Sequence, residues 1–257
     1  MRFGRSVALA VLTAGLTVLA CSPASAQAQP PGALTAMQIA LACAIPPEFA
    51  APRPATLRII GAQDPVRRGL LSDRDLLVIE GGTGAGLQLG QRFFVRRPLT
   101  YGDPTRTRHR GITTAGWIRV VAVNEVTAIA SVDYACGDIL TGDYLDPFTE
   151  PVVPDGADRV DTTGELDFAA ASHVLFGAEE SINGGVGSYM LIETGTDAGV
   201  AAGARFAIYR DVSVAGMPLA SVGEGVIVSA ARTVSVLRIN AVRDAVHAGD
   251  LAVPRKP

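Results

Sequence analysis

Short apolar runs punctuated by glycine and aspartate carry most of the chain beyond residue 57. Leu76–Ile79 is an apolar run that ends in a glycine-rich stretch, which predicts a strand followed by a turn. Arg92–Arg97 (RFFVRR) predicts the next strand, and Arg205–Arg210 (RFAIYR) its counterpart. Trp117–Val123 and Val126–Val132 face each other across Asn124 and Glu125 as a hairpin. Val226–Ala230 and Thr233–Ile239 repeat that hairpin, and Asp143–Leu145 and Asp250–Val253 close the two successions. Short strands at this close spacing predict an all-β fold of small antiparallel barrels or sandwiches. Leu34–Ala44 departs from the pattern. Its composition favours a short helix, with an edge strand carrying Cys43 as the alternative.

The two successions are one pattern written twice. Leu77–Arg97 and Met190–Arg210 align at an offset of 113, with ten of 21 positions identical. Upstream, Gly61 aligns with Gly177. Downstream, Gly116–Pro147 aligns with Gly223–Pro254 at an offset of 107, matching Gly142-Asp143 to Gly249-Asp250. The predicted organisation is a signal peptide over 1–26, an N-terminal segment over 27–45, a first β-domain over 46–148, a linker over 149–161 and a second, homologous β-domain over 162–257. Gly82, Gly86 and Gly90, with Gly195, Gly199 and Gly203, are read as turn glycines; Gly86 and Gly90 bracket a tight passage that calls for positive φ. A phosphate-binding reading of Gly81–Gly90 fails, because neither the dinucleotide nor the Walker spacing is present.

An isoleucine-bearing strand, spaced glycines, a Phe-bearing strand, a Val-rich hairpin and a closing Gly-Asp-x-φ-x-Pro together resemble a family of bacterial envelope β-domains. The C-terminal domain of the flagellar T-ring assembly protein is similar, as are β-domains found beside LysM or OmpA-like modules. The resemblance covers most of residues 57–257. It implies a small β-fold and a part in assembly or scaffolding without catalysis.

The first 26 residues change the picture of where the chain works. Arg2 and Arg5 precede an apolar, acid-free stretch over Ser6–Ala20, and Ala24-Ser25-Ala26 offers a small-x-small cleavage site. This is the pattern of a secretory signal peptide. The stretch is shorter than the ~20 residues of an ordinary membrane-spanning helix, and no later one replaces it, so no transmembrane segment is expected after signal removal. A periplasmic or extracellular location follows. Val18–Cys21 also resembles a lipobox, so lipidation at Cys21, giving an outer-membrane lipoprotein, is the alternative. Cleavage removes Arg2 and Arg5 and moves the formal charge from −3 to −5. An acidic balance argues against a nucleic-acid partner. Mean hydropathy is +0.30, with 48% hydrophobic residues, enough for one or two cores. Cys43 and Cys136 remain as an even pair in an oxidising compartment, which predicts a disulfide.

Candidate chemistry is sparse. Arg96–Arg110 is longer than its counterpart Asp211–Pro218 and carries Arg96, Arg97, Arg106, Arg108, His109 and Arg110. A solvated hairpin arm is one reading. An arm that grips anions is the other, since the guanidinium fork pairs bidentately with phosphate or carboxylate. His109, His173 and His247 have no zinc-ligand spacing, no cofactor motif is present, and no G-x-S-x-G elbow occurs. Trp117, the sole tryptophan, reads as core rather than as a sugar platform. The expected function is a non-enzymatic scaffold or interaction module with an unidentified envelope protein partner. The alternative is a module binding wall glycan or lipopolysaccharide, an anionic polymer, through residues 96–110.

Overall fold

The computed structural model describes residues 34–46, 57–64, 68–101, 109–178 and 181–256. The signal peptide, Cys21, Arg106 and Arg108 lie outside the described residues, and His109 and Arg110 are described as strand backbone alone.

Among the described residues the chain is all-β apart from one helix and short 3₁₀ turns. Thr35 caps the helix α1 (Ala36–Cys43): its hydroxyl accepts from the Gln38 amide at 3.2 Å, while the Gln38 side chain accepts from the Thr35 amide at 2.9 Å. Reciprocal capping of this kind satisfies two otherwise orphaned N–H groups. Of the two readings of Leu34–Ala44, the helix is the one adopted.

The first half contains β1 (Ile59–Ala62), β2 (Leu70–Leu71), β3 (Leu76–Glu80), β4 (Arg92–Tyr101), β5 (His109–Val123), β6 (Thr127–Ala135), β7 (Ile139–Leu140) and β8 (Tyr144–Pro147). Six of them form an antiparallel sheet in the order β1-β3-β6-β5-β4-β8, whose ends meet at a bridge between Arg58 and Tyr144. The second half contains β9 (Glu165–Leu166), β10 (Ser172–Gly177), β11 (Asn183–Gly184), β12 (Tyr189–Ile192), β13 (Arg205–Arg210), β14 (Ala220–Ala230), β15 (Ser235–Val242), β16 (Val246–His247) and β17 (Leu251–Lys256). Its order is β10-β12-β15-β14-β13-β17-β9, and β10 also pairs with β17, so six strands close on themselves. Under the sequence offsets the two strand orders are identical, and the small pair β2–β7 has its counterpart in β11–β16. Closure removes the free edges that would otherwise invite pairing with other chains.

Alternation decides which side chains go inside. Leu77, Ile79, Phe93, Val95, Ile118 and Val120 fill the first core. Met190, Ile192, Phe206, Ile208, Ile227 and Leu237 fill the second. The repeat is conservative in volume as well as in pattern. Leu71, in the first core, corresponds to Gly184, where a Cβ would lie 2.7 Å from Met190 Sδ and 2.8 Å from Ile239 Cδ1. The longer Met190, standing where the first half has Leu77, occupies the room that Leu71 takes in its own half.

Gly86, Gly90, Gly199 and Gly203 have φ between 78° and 90°, the left-handed conformation expected of turn glycines. Gly82 and Gly195 are needed for another reason. Their backbone is extended, but a Cβ would run into the backbone of Asn124 and Glu125 in one half and of Ala231 and Arg232 in the other. One position breaks the correspondence. Arg74 has φ 67°, where its counterpart is Gly187 at φ 86°, and both amides donate to the equivalent strand carbonyl, of Val132 and Ile239. A left-handed non-glycine residue costs about 1–2 kcal/mol. Arg74→Gly is therefore expected to raise stability by about 0.5–1 kcal/mol in urea denaturation, part of the gain being offset by the freer unfolded chain. An unchanged or lower midpoint would contradict this.

Residues Leu34–Pro257 form one compact unit holding both sheets. The brace is α1 with the segment that follows it. On one side Leu34 and Ala42 pack with the outward-facing Phe94 and Trp117 of the first sheet. On the other, Ala44 and Ile45 pack with Phe176, Leu191, Val226, Val228 and Val236 on the outside of the second. Cys43 is disulfide-bonded to Cys136, which follows β6, as the cysteine count predicts. Thr149–Asp161, read as a linker, is docked on the second sheet. Ala157 is buried, its carbonyl accepts from Asn240 Nδ2 at 3.0 Å, and Arg205 donates to the carbonyls of Gly156 at 3.0 Å and Arg159 at 2.8 Å.

Candidate functional site

The arginine-rich hairpin was the sequence's strongest pointer to a site, and the described part of it is tied into the fold. Beyond the bulge that shifts the register between Val95–Gly116 and Arg96–Thr114, β4 and β5 continue as a two-stranded ribbon from the Arg97–Thr113 pair to Tyr101–His109. The base of that ribbon is not a solvated arm. Ile112, Thr114 and Ala115 are buried, and Leu99 packs against the cluster that α1 shares with the second sheet.

Arg97 belongs to an ion pair. Its Nε and Nη2 donate to the two oxygens of Asp143, each at 2.7 Å, and Nη2 also donates to the Asp138 carbonyl at 2.8 Å. Asp143 in turn accepts from the Leu140 amide at 2.8 Å. The second half builds the same constellation atom for atom. Arg210 Nε and Nη2 donate to Asp250 at 2.8 Å each, Nη2 donates to the Ala245 carbonyl at 2.6 Å, and Asp250 accepts from the His247 amide at 2.7 Å. Both carboxylates are 4% exposed. Hydrogen bonding to the carboxylate raises the pKa of each arginine further above its ordinary value, against the opposing pull of burial. A group that recurs in both halves with the same partners holds the closing turn to the barrel wall.

Arg96 is also engaged. Its guanidinium lies 4.3 Å above the Phe94 ring, 3.9 Å from Asp146, and donates to the Thr114 hydroxyl. Thus Arg96 and Arg97 face into the protein, and the anion-gripping reading is left with Arg106, Arg108, His109 and Arg110. Trp117 is buried, stacked on Tyr134 with ring centroids 4.8 Å apart. Arg92 sits over Phe148 at 3.9 Å, at the edge of the same aromatic cluster beneath α1.

Another doubled device fixes the entry to β3 and to β12. Asp75 accepts from the Ser72 amide at 2.9 Å, and the corresponding Ser188 hydroxyl accepts from the Gly185 amide at 3.1 Å. That backbone hydrogen bond, helped by Arg68, holds the Asp75 carboxyl below the usual carboxylate range.

Cavities of about 310 and 340 Å³ flank the disulfide, one lined by Ser181, Asn183 and Tyr189, the other by Arg97, Thr113 and Asp138. A groove of about 520 Å³ runs between Leu41–Pro46, the linker and the outer face of the second sheet. Among the described residues no cluster of His, Cys, Asp and Glu is arranged to hold a metal ion, and no helix is long and apolar enough to cross a membrane.

A feature the sequence reading passed over lies at the counterpart of the arginine arm. The β13–β14 connection, Asp211–Leu219, exposes every residue, and Val212, Val214, Met217 and Leu219 are 42%, 59%, 60% and 36% exposed. Its signal was present in the sequence as an uncharged apolar run, VSVAGMPLA, at a place where a hairpin connection is normally polar.

No protein-family model matches the chain, and no curated protein matches it.

Proposed function

We propose that this is an exported cell-envelope protein that acts without catalysis, as a rigid scaffold or protein-interaction module. The observation that carries the reading is the brace. Two sheets of one topology are cross-linked through α1, Cys43–Cys136 and the docked linker into a single unit. Such a body presents connecting loops in fixed relative positions, which lowers the ordering cost of binding a large partner. The paired arginines of both halves serve this rigidity. Export and the oxidising compartment are read from residues 1–26 and agree with the disulfide.

The test is twofold. The mature chain is sedimented with isolated peptidoglycan sacculi at low and high salt, and crosslinked in cells. The scaffold reading expects no salt-sensitive pelleting and a discrete protein adduct. Salt-sensitive pelleting that disappears when residues 102–108 are deleted would instead assign the function to an anionic wall polymer held by the arm, because screening weakens exposed charge contacts.

A further inference from the structure

The β13–β14 connection is built as an apolar knob. Between Arg210 and Ala220, which pair as the last rung of the hairpin, the chain makes two internal turns. The Asp211 carboxylate accepts from the Ser213 amide at 2.7 Å, and the Val214 carbonyl accepts from the Met217 amide at 3.0 Å across Ala215 and Gly216, with Gly216 at φ 81°. These bonds satisfy part of the tip's backbone internally. From Val212 to Ala220 there is no charged residue. Four aliphatic side chains stand out from it into solvent.

We propose that this tip inserts into the headgroup–acyl boundary of a lipid bilayer, and so orients the scaffold on a membrane surface. The inference rests on the envelope location argued above. Three properties favour lipid over a protein groove. Every residue of the tip is exposed, and a bilayer accepts an exposed apolar group without a shaped socket. Its side chains are aliphatic, whereas the anchors of protein interfaces are enriched in Trp, Tyr and Arg. Part of its backbone is hydrogen-bonded within its own two turns, which lowers the cost of entering a water-poor layer. The corresponding connection in the first half is rich in arginine instead, so the knob is not a requirement of the fold. The chain's net charge is negative, and anionic headgroups therefore offer no long-range attraction. Insertion should depend on apolar burial and be insensitive to salt. A single small apolar anchor gives weak, reversible binding, and stable attachment takes a second signal.

The experiment is flotation of the chain from Gln27 onward, the form left by the expected cleavage, with phosphatidylcholine vesicles and with vesicles that also contain phosphatidylglycerol. The unaltered chain is expected to float with both, equally at low and high salt. Val214→Asp combined with Met217→Asp should lower partitioning at least about tenfold, since each change puts a charged side chain in place of an apolar one that would be buried. Both positions are exposed, so the melting temperature should not change. As a second, milder variant, Met217→Ser should give an intermediate loss. No flotation, equal flotation of chain and variants, or flotation confined to anionic vesicles at low salt would overturn the proposal. A protein adduct in cells that the double variant abolishes, without vesicle binding, would overturn it in favour of a protein contact and leave the scaffold reading standing. Salt-sensitive sacculus binding would count against that reading alone.

Discussion

Asp250→Ala is expected to destabilise the protein by about 3 kcal/mol, and Asp143→Ala by a similar amount. Removing the carboxylate leaves Arg210 without its bidentate partner in a closed turn, and leaves the His247 amide without an acceptor. Breaking a buried pair from one side costs about 3–5 kcal/mol, because the remaining charge is stranded. The lower end applies here, since the Arg210 side chain keeps 23% exposure, the Ala245 carbonyl at 2.6 Å and a second carboxylate in Asp244 at 2.8 Å. Asp250→Asn should cost less, as one acceptor oxygen survives. Urea denaturation at constant m-value gives the number. A loss below about 0.5 kcal/mol for both alanine variants would reduce the doubled constellation to a surface ion pair of the ordinary, weak kind.

Replacing Cys43 and Cys136 together by alanine is expected to cost up to about 4–5 kcal/mol. The bond spans 93 residues, and constraining a loop of that length in the unfolded chain is worth up to about 4–5 kcal/mol. The loss has a specific location. Without the bond, the eight-residue α1 is held by apolar packing and by the Gln38 side chain, which donates to Glu150 Oε1 at 3.1 Å and to the Pro151 carbonyl at 3.2 Å, and a helix that short does not persist by itself. The outer faces of both sheets, Phe94 and Trp117 on one and Leu191, Val226 and Val236 on the other, then lose their cover. Trp117 fluorescence should shift to longer wavelength on reduction before the strands unfold. Unchanged stability and emission after reduction would show that the helix is not a brace.

The sequence laid the repeat open because structural devices were copied with their residues. Gly86 and Gly90, Phe93, Arg97 and Asp143 each return at the predicted offset, and the strands fall where the apolar runs lie. The helix between Leu34 and Ala44 was legible in composition, and the Cys43–Cys136 bond in the cysteine count. What the sequence did not display was three-dimensional pairing. Arg97 reads as part of a basic run next to Arg96, yet its partner Asp143 is 46 residues away and only the closed barrel brings them together. Phe94 and Leu191 alternate outward, so a single barrel would expose them. They are buried because α1 and the residues after it cover both sheets. The docked linker was invisible for the same reason: its hydrogen bonds to Arg205 and Asn240 are made by backbone carbonyls, which carry no sequence signature. The apolar knob is legible as the uncharged run over residues 212–220.

The central claim is that two corresponding sheets are held as one rigid body. Backbone ¹⁵N relaxation on the oxidised chain tests it most directly, because each sheet reports its own tumbling. The account predicts a single rotational correlation time shared by amides of both sheets, α1 and residues 156–159, and its separation into two shorter ones on reduction. Two independent, shorter correlation times in the oxidised chain would contradict it.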